Sequence, residues 1–166
     1  QPQEAPSNVY ASPSWGVGDP EIGFAEADEV VERVYSTALM HQAYMETHTC
    51  VVALTEDGQM DVWASNKAPH YVKAQVARTT RVEPSAIHIH HIGIGGDFGG
   101  KGAQMNIPIC YFLARKAGKP VRMVMDYTEE FSAANPRHPS IVKVKTGVKH
   151  DGTIVANEVV AYFDTG

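Results

Sequence analysis

The segment Gly95-Gly96-Asp97-Phe98-Gly99-Gly100-Lys101-Gly102 packs five glycines into eight residues, between an apolar run and a helix-like segment. Without a Cβ the backbone can approach a ligand closely and take positive φ at little cost. The same freedom is lost on folding, at roughly 0.5–1 kcal/mol per glycine relative to alanine in regular structure. A bound cofactor is the first candidate for what compensates. The spacing Gly95-x-x-x-x-Gly100-Lys101 comes within one residue of a phosphate-binding P-loop, but Gly102 stands where Ser or Thr would hold magnesium. A dinucleotide fingerprint starting at Gly93 fails at Phe98, where a glycine or alanine should close it. Two readings stay open: a cradle for some other cofactor, or a glycine-rich β-to-α turn with no ligand.

Composition narrows the partners. At 166 residues the chain is one domain or two small lobes, with a formal charge of -5 and 20% charged residues. Its basic residues are scattered, so nucleic acid is not an expected partner. The longest apolar stretch, near 107–114, is far short of a bilayer span, and the first residues lack the pattern of a signal peptide, so no membrane association is expected. Cys50 and Cys110 belong to no CxxC pair and read as buried, reduced thiols. That suits a reducing compartment: a cytoplasmic location is expected, with the periplasm as the alternative. His88 and His90 share one strand face and His91 the other. No Cys or acidic ligand stands at supporting spacing, so no metal site is expected there.

Hydrophobic patterning gives strands near 30–35 and 48–55, the second returning through Asp57-Gly58 to a partner at 60–64. A helix follows at 69–79, with Pro69 in its first turn and Tyr71, Val72, Gln75 and Val76 at helical spacing. The strand 87–92 leads into the glycine loop. A helix over 103–117 should then point Met105, Ile109, Phe112 and Leu113 at a core, perturbed by Pro108 and stopped by Gly118. A short strand at 121–125, one helical turn near 128–130 and an irregular 135–139 precede a second Asp-Gly hairpin, 141–146 with 154–163. The fold class expected is α+β, a mixed, mainly antiparallel sheet with two main covering helices. Residues 1–20 read as an extended arm or linker, docked through Tyr10 and Trp15 where ordered.

Taken in order, these segments resemble the molybdopterin-binding large subunit of the xanthine dehydrogenase and aldehyde oxidase family of molybdenum hydroxylases. The resemblance runs through Gly18-Asp19-Pro20, Gly23-Phe24-Ala25-Glu26-Ala27-Asp28, His41-Gln42-Ala43-Tyr44-Met45-Glu46-Thr47-His48 and the glycine loop. It continues through Gly118-Lys119-Pro120-Val121-Arg122, Tyr127-Thr128-Glu129-Glu130, Arg137-His138-Pro139 and Phe163-Asp164-Thr165-Gly166. It implies that 21–166 is a partial molybdopterin-binding domain, one lobe of the cofactor region. Gly96, Phe98 and Gly99, with Gly95 in the same turn, would lie against the molybdenum end of the cofactor, in its plain molybdopterin or cytosine dinucleotide form. The implied partners are the remainder of the large subunit, iron-sulfur and FAD domains or subunits, and a small-molecule substrate, an aldehyde or N-heterocycle.

Departures from the family pattern shape the expectation. Met40 replaces a glutamine found near the metal in some members, and Gln42 would point elsewhere if its segment is extended. Asp97 replaces a glycine, and Gly102 a glutamate of purine-oxidising members, which argues against xanthine as substrate. The family's catalytic base lies far downstream, so no catalytic residue and no metal ligand are assigned in this chain, and alone it is expected to be inert. Glu46-Thr47-His48 reads as a structural corner, and Lys101 as a helix-start lysine that satisfies carbonyls. Asp97 motivates one alternative, a noncatalytic scaffold that keeps the fold without the cofactor, because its charge would repel an anionic ligand.

Overall fold

The structure, a computed structural model, describes residues 8–165. In chain order the elements are α1 (Pro20–Glu26), β1 (Glu29–Thr37), β2 (Thr49–Leu54), β3 (Met60–Ala64), α2 (Pro69–Thr80) and β4 (Ile87–His90). They continue with α3 (Ile107–Ala117), β5 (Val121–Val124), α4 (Tyr127–Ala133), β6 (Ser140–Val148) and β7 (Ile154–Phe163). Among the described residues four α-helices accompany two sheets, ordered β1-β6-β7 and β4-β3-β2-β5, where the sequence suggested one sheet. Every pairing is antiparallel except β3 with β4, so the α+β class with mainly antiparallel strands holds.

The chain divides into two compact units. The first comprises residues up to Thr37 together with Ser140–Phe163. Its strands β6 and β7 form the expected hairpin, with Gly152 at φ +89° supplying the left-handed turn residue. The α1 helix was not anticipated, although its signals are local: the Asp19 carboxylate accepts from the amides of Glu21 (3.0 Å) and Ile22 (3.4 Å), and proline follows. A Cβ on Gly23 would lie 2.4 Å from the Val155 carbonyl oxygen, so only glycine lets this helix sit on β7. The arm ahead of it has neither helix nor strand over 8–19, and residues 1–7 lie outside the described part. Tyr10 and Trp15 are 96% and 87% exposed, so the expected docking through them does not occur.

The second unit spans Ala38–Pro139 and resumes at Asp164. Alternate residues of β2 and β3, Cys50 and Val52 with Met60, Val62 and Ala64, meet Val72 and Val76 of α2 and Ile107, Cys110 and Ala114 of α3 in one core. Both cysteines are buried and unpaired, and burial pushes their thiols up. Three readings need correction. The second main helix starts at Ile107 rather than Ala103, so Pro108 falls in its first turn, where a missing N–H costs nothing. That helix buries Ile107, Cys110, Tyr111 and Ala114 and leaves Ile109, Phe112 and Leu113 exposed, the reverse of the expected face; Tyr71 of α2 is exposed too. Finally β4 ends at His90, and α4 runs seven residues behind a reciprocal cap between Asp126 and Glu129. Among the described residues no helix is long and apolar enough to cross a membrane.

Candidate cofactor-binding loop

Residues 91–106 follow β4 without regular structure, and the helix after them begins only at Ile107. The glycine segment is therefore not a helix N-terminus. Its shape comes from the backbone: Gly96 and Gly99 lie at φ +96° and +97°, and Phe98 between them at φ +46°. A phenylalanine in the left-handed region is uncommon and costs free energy that its surroundings must offset. Its ring is nevertheless 69% exposed.

Two carboxylates hold the loop. Asp97 turns inward: Oδ1 accepts from the Lys101 amide (2.6 Å), Oδ2 from the Gly99 amide (3.0 Å) and Lys67 Nζ (2.7 Å), and its carbonyl from the Gly100 amide (2.8 Å). Glu46 Oε2 accepts from the Gly95 amide (2.8 Å) and Lys101 Nζ (2.6 Å). Burial alone would raise both carboxyls. The lysine and amide hydrogen bonds outweigh it and hold both below their ordinary values. Glu46 is thus the structural corner expected. Lys101 is not a helix-start lysine: its side chain is fully buried, paired with Glu46, with Nζ 4.7 Å from the centre of the Tyr44 ring.

Behind Tyr44 lies a third carboxylate, the fully buried Glu130 of α4. It accepts from the Tyr44 hydroxyl (2.5 Å) and the His48 amide (2.7 Å), and lies 2.7 Å from His48 Nδ1 and 3.4 Å from His41 Nε2. Desolvation opposes its charge, but the Tyr44 and His48 donors keep the Glu130 carboxyl below its usual range; the Tyr44 hydroxyl, raised first by burial, is pushed further up by the Glu130 carboxylate. The segment 41–48 is thereby a rigid platform under the loop. Two loop glycines exist for that contact: a Cβ would stand 2.7 Å from Glu46 Cβ on Gly95 and 2.4 Å from a Tyr44 ring carbon on Gly100.

The four residues singled out from the resemblance come together here in different circumstances. The amide of Gly95 is engaged by Glu46 and that of Gly99 by Asp97. The amides of Gly96, Asp97 and Phe98 make no hydrogen bond among the described residues, and a Cβ on Gly99 would meet nothing within 4 Å. Successive free amides in a positive-φ turn, beside an exposed aromatic ring, offer donors suited to an electron-rich or anionic group. Met40 is exposed and bridges Arg137 through the backbone. Gln42 does not point away: Ala43 at φ +53° breaks the extended run, and Gln42 Oε1, buried without a partner, comes within 3.0 Å of the Gly100 Cβ position. Sequence reasoning missed Lys67, Tyr44 and Glu130, whose partners lie 30 to 86 residues away.

Comparison with known proteins gives the family. A family profile described as "Molybdopterin cofactor-binding domain" matches residues 1–166. The chain belongs to that family, the molybdopterin-binding proteins of the xanthine dehydrogenase and aldehyde oxidase type. A probable hypoxanthine oxidase of Escherichia coli is 33% identical over 159 residues, 96% of this chain and 16% of that protein. A xanthine dehydrogenase of Emericella nidulans is 34% identical over 152 residues, 90% of this chain and 11% of that protein. The nicotinate dehydrogenase large molybdopterin subunit of Eubacterium barkeri is 31% identical over 161 residues, 96% of this chain and 38% of the subunit. The aldehyde oxidoreductase of Desulfovibrio gigas shares the fold with a TM-score of 0.77 at 24% identity, over 89% of this chain and 16% of its own. The chain therefore spans well under half of the family members it matches, and the members named are oxidoreductases.

Proposed function

We propose that residues 95–101 form one wall of a molybdopterin site within a molybdenum hydroxylase large subunit. The carrying observation is the run of unpartnered amides at Gly96, Asp97 and Phe98, with the Asp97 carboxylate folded inward onto Lys67. These amides would hold the electron-rich end of the cofactor, Gly99 would leave it room, and Phe98 would exclude water and keep the local dielectric low. Gly95 acts at one remove, fixing the turn through Glu46. When bound, the cofactor supplies oxidative hydroxylation of an aldehyde or N-heterocycle with oxygen from water, its electrons passing to iron-sulfur and flavin centres on other domains or subunits. The fit to an anionic group counts against the scaffold alternative, because Asp97 adds no uncompensated charge beside those amides.

The test is the molybdenum content of the complete protein. Gly99→Val should cost it most of its molybdenum, because a β-branched residue is strained at φ +97° and fills the open space, while secondary structure is kept. Molybdenum content equal to wild type in that variant would remove residues 95–101 from the site.

A further inference from the structure

Away from the glycine loop, β3 and β4 bring three further side chains together. Asp61, His88 and His90 stand on the sheet face opposite the core residues Met60, Val62 and Ile87, and the parallel register sets Asp61 against His88 and Trp63 against His90. The sequence offered two histidines and no acidic ligand at supporting spacing. The neighbouring strand supplies it from 27 residues upstream of His88.

One ligand atom from each of the three lies within 4.8 Å of the others. Asp61 Oδ1 is 2.8 Å from His90 Nε2 and 3.7 Å from His88 Nδ1. Tetrahedral coordination with bonds of about 2.0–2.1 Å separates ligand atoms by roughly 3.3 Å. The two Asp61 distances bracket that value, and the two histidine atoms lie within 4.8 Å of each other, so a cation would draw three atoms that already face one another into its shell. The rings are also held in place: His90 stacks on Trp63 at 4.3 Å and 3° between planes, and His88 stacks on His90 at 4.2 Å. Such support orients imidazole ligands before a metal arrives. His88, although 69% exposed, is stacked on His90 and turns Nδ1 toward the same Asp61 oxygen, so all three side chains face one point.

We propose that Asp61, His88 and His90 bind a divalent transition-metal ion of the zinc class, with the remaining coordination positions open to water or an external donor. Two imidazoles and one carboxylate suit such borderline cations better than magnesium or calcium, which favour all-oxygen shells.

Zinc uptake by the complete protein, washed with a mild chelator and followed by equilibrium dialysis, tests this. Wild type should take up one zinc per chain more than Asp61→Asn or His88→Gln. Loss of an outer-shell partner already costs about 10–100-fold in metal affinity, so loss of a ligand should weaken this site at least about tenfold. Zinc-edge absorption should report two imidazole ligands in wild type. Because Asp61 also hydrogen-bonds His90, the Asp61 variant risks a fold defect; His88→Gln alters an exposed side chain and keeps the test intact. Wild type taking up no more zinc than His88→Gln overturns the proposal, whether zinc binds elsewhere or not at all.

Discussion

At the scale of single residues, the loop is governed by carboxylates whose partners are distant in sequence. Glu46 and Asp97 bind amides of Gly95, Gly99 and Lys101, and both sit below their ordinary carboxyl values. The sign follows: folded values below unfolded ones mean that the stabilisation is complete above the ordinary carboxylate range, near pH 4, and is lost as pH falls through the folded values. Amide exchange at Gly95, Gly99 and Lys101, corrected for its intrinsic rate, should therefore stay slow at neutral pH and quicken only in acid. Glu46→Gln should abolish the acid dependence at Gly95. It should also loosen the loop at pH 7, because the fully buried Lys101 ammonium loses its counter-charge. Unchanged exchange at Gly95 in that variant would contradict the assignment. The glycines were legible from composition as a tight loop, either a ligand cradle or a turn without a ligand. That Gly95 and Gly100 clear room for Glu46 and Tyr44 was not, because composition says nothing of what lies opposite a missing Cβ.

At the scale of elements, legibility tracked how local the signal was. Both hairpins were readable because an Asp-Gly pair between apolar runs imposes a turn by its own backbone preference. The stop of α3 at Gly118 was readable for the same reason, with the glycine at φ +62°. Its buried face was not, because starting the periodicity at Ala103 includes four residues that are loop, and the pattern then selects Ile109, Phe112 and Leu113 rather than Ile107, Cys110, Tyr111 and Ala114. The α1 helix escaped notice although Asp19-Pro20 marks its start, since seven residues carry little periodicity. Its seating is a direct prediction: Gly23→Ala should destabilise the first unit by about 1–3 kcal/mol through overpacking against Val155. The change is to be read as a lower unfolding midpoint. Gly16→Ala, with nothing within 4 Å of the new Cβ, should leave that midpoint within about 0.5 kcal/mol of wild type.

At the scale of the whole molecule, the first unit presents a sheet that exposes many apolar side chains among charged ones. All nine residues of β1 are exposed, among them Val30, Val31, Val34 and Tyr35, as are Val159, Tyr162 and Phe163 on β7. Exposed apolar side chains in such numbers are usually covered by a partner. In keeping with the proposed place in a longer subunit, we expect the 166-residue chain alone to bind a hydrophobic dye and to show no hydroxylase turnover when supplied with cofactor. Within the complete protein, amides of β1 and β7 should be protected from exchange. Turnover by the isolated chain would contradict this reading.

What the sequence settled by itself was punctuation and kinship: where the chain turns, where helices stop, and an ordered set of motifs long enough to mark a molybdopterin-binding protein. These are properties of neighbouring residues and survive being read along one line. Tertiary structure alone decided the pairs that give the loop its character, Lys67 with Asp97, Lys101 with Glu46, and Tyr44 and His48 with Glu130, and the separate meeting of Asp61 with His88 and His90. Periodicity tells which face a side chain takes, whereas the order of strands in the sheet and the path of the loop decide which distant faces meet.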